Sequence, residues 1–239
     1  MKFGTTLHGA QFMDLENRKT ALTYYTNGGP LGQIFKAMRP RALKVSAVGL
    51  GVGTVACYAR PGDHWTFYEI DPMVDYIARN KSWFHFMSDC AADAPVVYGD
   101  ARLKLQKAKK GATDFMILDA FSSDAIPIHM VTREAFELYA SLLSEGGIIA
   151  MNISNRHLDL KPVVSAVARA AGLKGYVQTH TGEGEVTPHY FTGSIWVVLA
   201  KKPQTLEALR ATGKWTPLPA SSKADLWTDD YSDLIGALK

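Results

Sequence analysis

Three acidic side chains stand at the ends of three strand-like segments of the sequence: Glu69, Asp100 and Asp119. In an open parallel sheet the carboxyl ends of the strands share one edge, and ligands bind in the crevice outside that edge. We therefore expect the three carboxylates to line one cleft. A carboxylate placed there can hold ribose hydroxyls, bind an exocyclic amine or accept a proton from a nucleophile.

A glycine run, Gly49-Leu50-Gly51-Val52-Gly53, follows the first of the expected strands. Glycines let a backbone turn sharply and approach a ligand closely, although tight packing alone also explains such a run. Glu69 follows Gly49 by twenty positions, a spacing that suits an acid bound to ribose. Thr54 stands where a dinucleotide-binding run prefers glycine or alanine, and no basic residue follows to hold phosphate. The pattern predicts an adenosine without a phosphate linker, namely S-adenosylmethionine or a derivative.

Alternating strands and helices must position these residues. We predict strands over 44–49, 65–70, 95–99, 115–119, 147–153, 175–180 and 194–200. Helices are predicted near 53–60, 72–80, 101–109, 132–144 and 160–171, with Thr132 as an N-cap and Gly146-Gly147 ending the fourth helix. This alternation predicts an α/β fold with a mostly parallel seven-stranded sheet and helices on both faces.

The first 36 residues differ from the rest of the chain. They contain short β-prone segments, "KFGTTLHGAQFM" and "KTALTYYTNGG", separated by a polar run. We therefore expect a small N-terminal β-hairpin domain over 1–36, followed by a Rossmann-like domain over 37–239 that binds the adenosyl ligand.

Composition narrows the possible partners and the compartment. A net charge of +3 with scattered Lys and Arg argues against a nucleic-acid partner. The longest apolar stretch, 47–59, is shorter than the roughly 20 residues of a membrane span. Cys57 and Cys90 lack paired spacing, so we expect two reduced thiols in a cytoplasmic protein. The seven histidines show no metal-ligand spacing, and we expect no metal.

Eight motifs in a fixed order resemble the polyamine aminopropyltransferase (spermidine synthase) family, in particular its bacterial spermidine-synthase-like branch. They span residues 7–235 and are "HGAQ", "TYY", "VGLGVGT", "YEID", "YGDAR", "FMILDAFSSDAIP", "TPHYFTGSIW" and "WTDDYSDL". The resemblance implies a β-domain joined to a class I S-adenosylmethionine-dependent methyltransferase fold, and a homodimer. Many members of this branch carry membrane segments before the domain, so the chain is also expected as one domain of a longer membrane protein.

The resemblance implies transfer of an aminopropyl group from decarboxylated S-adenosylmethionine to a small polyamine substrate such as putrescine. Asp119 would be the catalytic carboxylate, binding the ammonium and accepting its proton, because alkylamines titrate near pH 10. Tyr24 and Tyr190 would flank the amine, and Asp124 or a tail acid (Asp229, Asp230) would hold its far end. The residues implied to bind the cofactor are Gln11, Gly49, Gly51, Gly53, Glu69, Ile70, Asp100 and Ala101.

The sequence departs from the family pattern at the substrate end. Val52 stands where the family carries an acid that binds the aminopropyl amine, and Thr26 replaces a glutamate. Four residues rather than two separate Asp119 from Asp124. Two alternatives therefore stay open: a methyltransferase that uses intact S-adenosylmethionine, and a non-catalytic domain that binds an adenosyl ligand or a polyamine.

Several of these residues also have a purely structural explanation. Gln11 could satisfy backbone groups, Tyr24 and Tyr25 could be core aromatics, and His189 could be a structural histidine rather than a base.

Overall fold

The computed structural model describes residues 1–3, 6–7, 9–38, 42–121, 126–181, 192–223 and 225–239. A short antiparallel hairpin pairs β1 (Lys2–Phe3) with β2 (Thr6–Leu7). The main sheet consists of β3 (Lys44–Val48), β4 (His64–Glu69), β5 (Val96–Tyr98), β6 (Thr113–Leu118), β7 (Leu143–Asn152), β8 (Lys174–His180), β9 (Ser194–Ala200) and β10 (Thr216–Pro217).

The eight strands lie in the order β10-β8-β9-β7-β6-β3-β4-β5. Neighbouring strands from β7 across to β5 are parallel, whereas β9 runs antiparallel to both β7 and β8. The seven predicted strands are all present, and β10 adds a short eighth. The chain leaves β3 on one side through β4 and β5 and returns on the other side as β6. Such a reversal opens a crevice at the carboxyl ends of β3 and β6.

Helices cover both faces of the sheet, as the alternation predicted. They are α1 (Pro30–Ala37), α2 (Pro72–Arg79), α3 (Phe86–Cys90), α4 (Ala101–Leu105), α5 (Arg133–Leu142), α6 (Lys161–Ala170) and α7 (Glu207–Arg210). Buried side chains of α1, α2 and α3 pack on one face, and those of α4, α5 and α6 pack on the other. Within the described ranges, no helix is long and apolar enough to cross a membrane.

The N-terminal region is less β-rich than expected. Thr23–Tyr25 form a 3-10 turn, and the chain continues into α1, where Pro30 at the first position suits a helix start. Leu31, Ile34 and Phe35 are buried in the same core as the sheet strands. The β-prone reading of residues 19–29 was therefore wrong, because tertiary burial outweighs local β propensity. The division at residue 36 into two domains stays a prediction.

One expectation for the fourth predicted helix was confirmed and one was wrong. α5 does begin after Thr132, whose hydroxyl accepts a hydrogen bond from Ala135 N at 3.3 Å. It ends at Leu142, however, and β7 begins at Leu143, so Gly147 lies inside a strand instead of ending the helix. A Cβ at Gly147 would lie 2.7 Å from Thr113 O, which shows why this strand position needs glycine.

Cys57 and Cys90 form a disulfide, so the expectation of two reduced thiols was wrong. Cys57 lies on the 3-10 helix Thr54–Tyr58, and Cys90 ends α3. The two elements pack so closely that a Cβ at Gly53 would lie 2.7 Å from Met87 Cγ. This packing brings the two cysteine Cα atoms within 4.9 Å across 33 positions of sequence. The disulfide therefore joins two elements that are distant in sequence and adjacent only in the folded protein.

Candidate active site

The glycine turn after β3 lies directly against Asp119. Gly49 has φ +90°, and a Cβ there would lie 2.3 Å from Asp119 O. Asp119 N donates to Val48 O at 2.9 Å, which extends the β3–β6 ladder to the sheet edge. The glycine turn and Asp119 are thus joined by backbone contacts at the reversal of strand order.

Glu69 ties the glycine turn to the end of β4. Its buried carboxylate accepts hydrogen bonds from Leu50 N at 3.0 Å, Ile70 N at 2.8 Å and Asp71 N at 3.1 Å. Two of these bonds use Oε1 and one uses Oε2. Because each carboxylate oxygen has two lone-pair sites, Oε2 keeps the capacity to accept a ribose hydroxyl.

Asp100 begins α4 at the next strand end. Its Oδ1 accepts a hydrogen bond from Leu103 N at 2.9 Å, so the residue is the N-cap of the helix. His129 Nε2 lies 3.1 Å from Asp100 Oδ2. Ala101 is partly exposed, and Ile70, beside Glu69, is 69% exposed. Exposed apolar surface next to two carboxylates suits a nucleoside, because the planar base can pack on the apolar surface while the carboxylates accept hydrogen bonds from hydroxyl and amine groups.

Asp119 is enclosed by hydrogen-bond donors. Tyr25 Oη donates to Asp119 Oδ2, and Asn152 Nδ2 donates to Asp119 Oδ1 at 2.9 Å. Tyr24 also hydrogen-bonds to the same carboxylate. Burial raises the pKa of Asp119 to about 6, while the three hydrogen bonds act in the opposite direction. A carboxyl group with that pKa is largely ionised at neutral pH and can still take up a proton.

The two tyrosines reach Asp119 from a strained turn. Thr23 is fully buried with φ +61°, a left-handed conformation unfavourable for a β-branched residue. Such strain clusters at functional sites. The rings of Tyr24 and Tyr25 lie 4.4 Å apart, and burial followed by the charge of Asp119 raises both tyrosine pKa values well above the usual 10. Both hydroxyls therefore remain protonated donors at neutral pH.

Sequence reasoning missed the roles of Tyr25 and Asn152. Tyr25 was weighed only as a core aromatic, and Asn152 was not considered. Asn152 is buried at the end of β7, which neighbours β6, so its strand-end position was an available signal. Its Oδ1 accepts from Ser154 N at 3.0 Å and Ser154 Oγ at 2.7 Å, which directs Nδ2 at Asp119.

Some predicted site residues have other surroundings. Gln11 Nε2 donates to Arg18 O at 2.7 Å and Gln11 Oε1 accepts from His85 N at 2.8 Å, so both ends of its amide contact backbone. Its contact with a cofactor stays a prediction. Val52 is buried, and a Cβ at Gly9 would lie 2.4 Å from Val52 Cγ2.

The tail acid Asp229 is bound to Arg102, which donates to both of its carboxylate oxygens at 2.6 Å. That pairing lowers the pKa of Asp229 and occupies the group predicted to hold a distal ammonium. Asp124, Tyr190 and His189 lie outside the described residues. Over the described ranges, no group of three His, Cys, Asp or Glu side chains could hold a metal ion.

The sequence is similar to that of a curated enzyme. The chain is 30% identical over 158 residues to a polyamine aminopropyltransferase from Vibrio vulnificus (strain CMCP6). The match covers 63% of this chain and 50% of that protein, so the aligned region spans half the length of the curated relative. No protein-family model matches the sequence.

Two solved structures share the fold. A probable spermidine synthase from Corynebacterium glutamicum ATCC 13032 has a TM-score of 0.60 at 18% identity, covering 85% of this chain and 78% of that one. A spermidine synthase in complex with the transition state analogue AdoDATO has a TM-score of 0.50 at 14% identity, covering 80% and 66%. The chain is therefore similar to a polyamine aminopropyltransferase over half the length of that protein, and it shares its α/β fold with solved spermidine synthases.

Proposed function

We propose that this chain is an aminopropyltransferase that moves the aminopropyl group of decarboxylated S-adenosylmethionine to a small amine. The observation that carries the proposal is the enclosure of Asp119 by Tyr24, Tyr25 and Asn152 beside the glycine turn. The relationship to a polyamine aminopropyltransferase supports the same reaction.

Glu69 would hold the ribose through the free capacity of Oε2, and Asp100 with Ala101 and Ile70 would receive the adenine. The turn at Gly49, Gly51 and Gly53, all with positive φ, lets the backbone pass close to the sulfonium group. These contacts would fix the aminopropyl carbon at the sheet edge near Asp119, and such positioning lowers the entropic cost of the reaction.

Asp119 would first bind the acceptor as an ammonium and then accept its proton. The lone pair released on nitrogen attacks the carbon attached to sulfur, the carbon–sulfur bond breaks, and its electron pair leaves as the neutral thioether of methylthioadenosine. No acid is needed for the leaving group. Tyr24, Tyr25 and Asn152 would orient the carboxylate and keep enough charge on it to bind the cation.

A methyltransferase that uses intact S-adenosylmethionine is the second candidate, because Val52 stands in the glycine turn where the family pattern has an acid. Val52 supplies no carboxylate for the aminopropyl amine, so the site lacks one device for selecting the decarboxylated cofactor. The homodimer, the cytoplasmic location and the longer membrane protein stay predictions.

Mass spectrometry of the product amine separates the two candidates. The protein is incubated with putrescine and either cofactor, and the acceptor is examined for an added aminopropyl or methyl group. We expect aminopropylation with release of methylthioadenosine. Methylation with S-adenosylhomocysteine as co-product would establish the second candidate. Binding of either cofactor without any modified amine would indicate the non-catalytic alternative.

Cofactor binding is checked with Glu69→Gln. A bound ligand at 100 times its Kd stabilises a fold by about 2.7 kcal/mol, which a thermal shift detects. We expect the variant to lose most of this ligand-induced shift, because the charged acceptor for the ribose is gone. Asp63→Asn, which alters a carboxylate outside the proposed adenosyl site, serves as the control.

A further inference from the structure

His129 lies next to the carboxylate that is proposed to receive the adenine. Its Nε2 is 3.1 Å from Asp100 Oδ2. Because a carboxylate oxygen accepts hydrogen bonds and does not donate them, Nε2 is the donor in this contact. The two residues are 29 positions apart, so the fold brings them together. The 3-10 turn Ile128–Met130 thus places a nitrogen donor at the edge of the proposed adenosyl site.

The two carboxylate oxygens of Asp100 have different partners. Oδ1 accepts a hydrogen bond from Leu103 N at 2.9 Å, and Oδ2 accepts one from His129. With both oxygens bound, the carboxylate is held in one orientation. The bond from His129 uses one of the two lone-pair sites of Oδ2, so the other site can accept a hydrogen bond from an exocyclic amine. The Asp100 side chain is 28% exposed, which lets a ligand reach it.

The backbone of the turn that carries His129 is fixed at two successive carbonyl groups. Arg102 Nη1 donates to His129 O at 2.9 Å, and Tyr139 Oη donates to Met130 O at 3.3 Å. Arg102 belongs to α4 and Tyr139 to α5. Met130 is buried in the core. The packing of two helices therefore sets the place of the histidine ring, although the ring itself is 49% exposed.

The C-terminal tail holds Arg102 in turn. Both oxygens of the Asp229 carboxylate accept hydrogen bonds from Arg102 at 2.6 Å, and such a two-point pair is geometrically specific. Thr132 Oγ1 donates to Asp229 Oδ1 at 2.8 Å, and Asp229 N donates to Glu134 Oε2 at 3.0 Å. The tail acid thus fixes the arginine that binds the His129 carbonyl. This contact connects Asp229 to the adenine end of the site.

We propose that His129 is a positioning residue of the adenosyl site, and that it holds Asp100 so that the site selects a base with an amine. The inference rests on the proposed function, which places the adenine at Asp100. A carboxylate oxygen accepts a hydrogen bond from the amine of adenine and repels the oxygen that replaces this amine in hypoxanthine. A residue that supports such a contact acts on the choice of base, because the contact depends on a precise orientation of the carboxylate.

Two nucleosides that differ in one group of the base test the proposal. They are methylthioadenosine and methylthioinosine, in which an oxygen replaces the amine, and calorimetry measures the Kd of each. We expect wild type to prefer methylthioadenosine by about tenfold or more, as one hydrogen bond to a charged group would give. His129→Leu should lower that preference by about two- to tenfold, the value of one ordinary hydrogen bond. The loss should come from weaker binding of methylthioadenosine, with the Kd of methylthioinosine nearly unchanged.

His129→Gln is the conservative variant. Its amide nitrogen can take the place of Nε2 and donate to Asp100 Oδ2, so the preference for methylthioadenosine should largely return. His64→Leu is the matched control. His64 is exposed at the start of β4, at the opposite edge of the sheet, and its replacement should leave both Kd values unchanged.

The proposal is overturned if His129→Leu keeps the wild-type preference, or if this variant weakens the binding of both nucleosides equally, as a merely structural histidine would. It is also overturned if His129→Gln behaves like His129→Leu, because a donated hydrogen bond would then not be the cause.

Failure of the proposed function gives a different result. Wild-type protein that binds neither nucleoside would reject the adenosyl site and this inference with it. A preference that depends on His129, in a protein that modifies no amine, would support the inference while rejecting transfer. Transfer to an amine, with the same base preference in wild type and His129→Leu, would reject the role of His129 alone.

Discussion

Tyr25 Oη donates a hydrogen bond to Asp119 Oδ2 although the two residues are 94 positions apart. The bond joins the turn before α1 to the end of β6, and Asn152 completes the arrangement from the end of β7. The proposed chemistry of this chain depends on that carboxylate, and the predictions below examine its charge, its support and its surroundings.

On its acid side, the pH–rate profile should follow the ionisation of the Asp119 carboxyl group. Burial raises its pKa to about 6, so the ionised base is present above that pH and is lost as the pH falls through it. We expect kcat/KM to fall about tenfold per pH unit below pH 6. A rate that stays level down to pH 4.5 would contradict this assignment. Stability depends on pH in the opposite direction. Because folding raises the pKa of Asp119 from 3.8 to about 6, the free energy of unfolding should fall as the pH rises between these two values.

Tyr25→Phe should move that acid limb to higher pH. The hydrogen bond from Tyr25 stabilises the ionised carboxylate, so its loss should raise the pKa of Asp119. A hydrogen bond to a charged group contributes about 1.5–3 kcal/mol, which corresponds to a pKa change of roughly 1–2. Tyr58→Phe is the matched control, because Tyr58 Oη donates to Tyr25 O at 2.5 Å and not to Asp119. Equal shifts in both variants would mean that the turn, and not the hydroxyl, sets the pKa.

Gly49→Ala should be far more destabilising than Gly111→Ala. Both glycines have positive φ, which costs an alanine about 1–2 kcal/mol. Only at Gly49 would the new Cβ meet backbone, at 2.3 Å from Asp119 O, whereas Gly111 has open space. We expect a loss of roughly 3 kcal/mol or more in the free energy of unfolding for Gly49→Ala, measured in urea. Similar losses in both variants would show that the turn has room to relax.

Reduction of the Cys57–Cys90 disulfide should destabilise the protein. A bridge across 33 positions contributes about 2–4 kcal/mol, which lowers the Tm by about 5–15 °C in a chain of this size. Scanning calorimetry with and without reductant measures the change, and Cys57→Ser combined with Cys90→Ser should reproduce it. Two thiols titrating freely in the unreduced protein would contradict the bridge. Since disulfides are rare in the cytosol, a bridge found in protein whose thiols are blocked before cell lysis would contradict the predicted cytoplasmic location.

Periodicity and strand-end chemistry predicted the sheet well. The seven expected strands are present, and the acids at the ends of β4 and β6 lie at the carboxyl edge because successive parallel strands must end there. The signal was strong because buried parallel strands produce apolar runs between turns.

Contacts between segments that are distant along the chain could not be predicted from the sequence in the same way. Nothing in the spacing of Cys57 and Cys90 shows that α3 packs beside the glycine turn, and the burial of Leu31 and Phe35 that makes residues 30–37 helical exists only in the fold. Tyr25 was taken for a core residue because one aromatic side chain can both pack and donate, and sequence does not show which of these it does.

The most direct test of the central claim is the rate of methylthioadenosine release by wild type and Asp119→Asn at pH 8, with each variant saturated by decarboxylated S-adenosylmethionine and an amine. We expect the same Kd for the cofactor in both, because the proposed contacts of its ribose and base are with Glu69 and Asp100 and not with Asp119. The variant should lose about 10²–10⁴-fold in rate, the usual contribution of a positioned base. Equal rates in the two proteins would show that Asp119 is not the base.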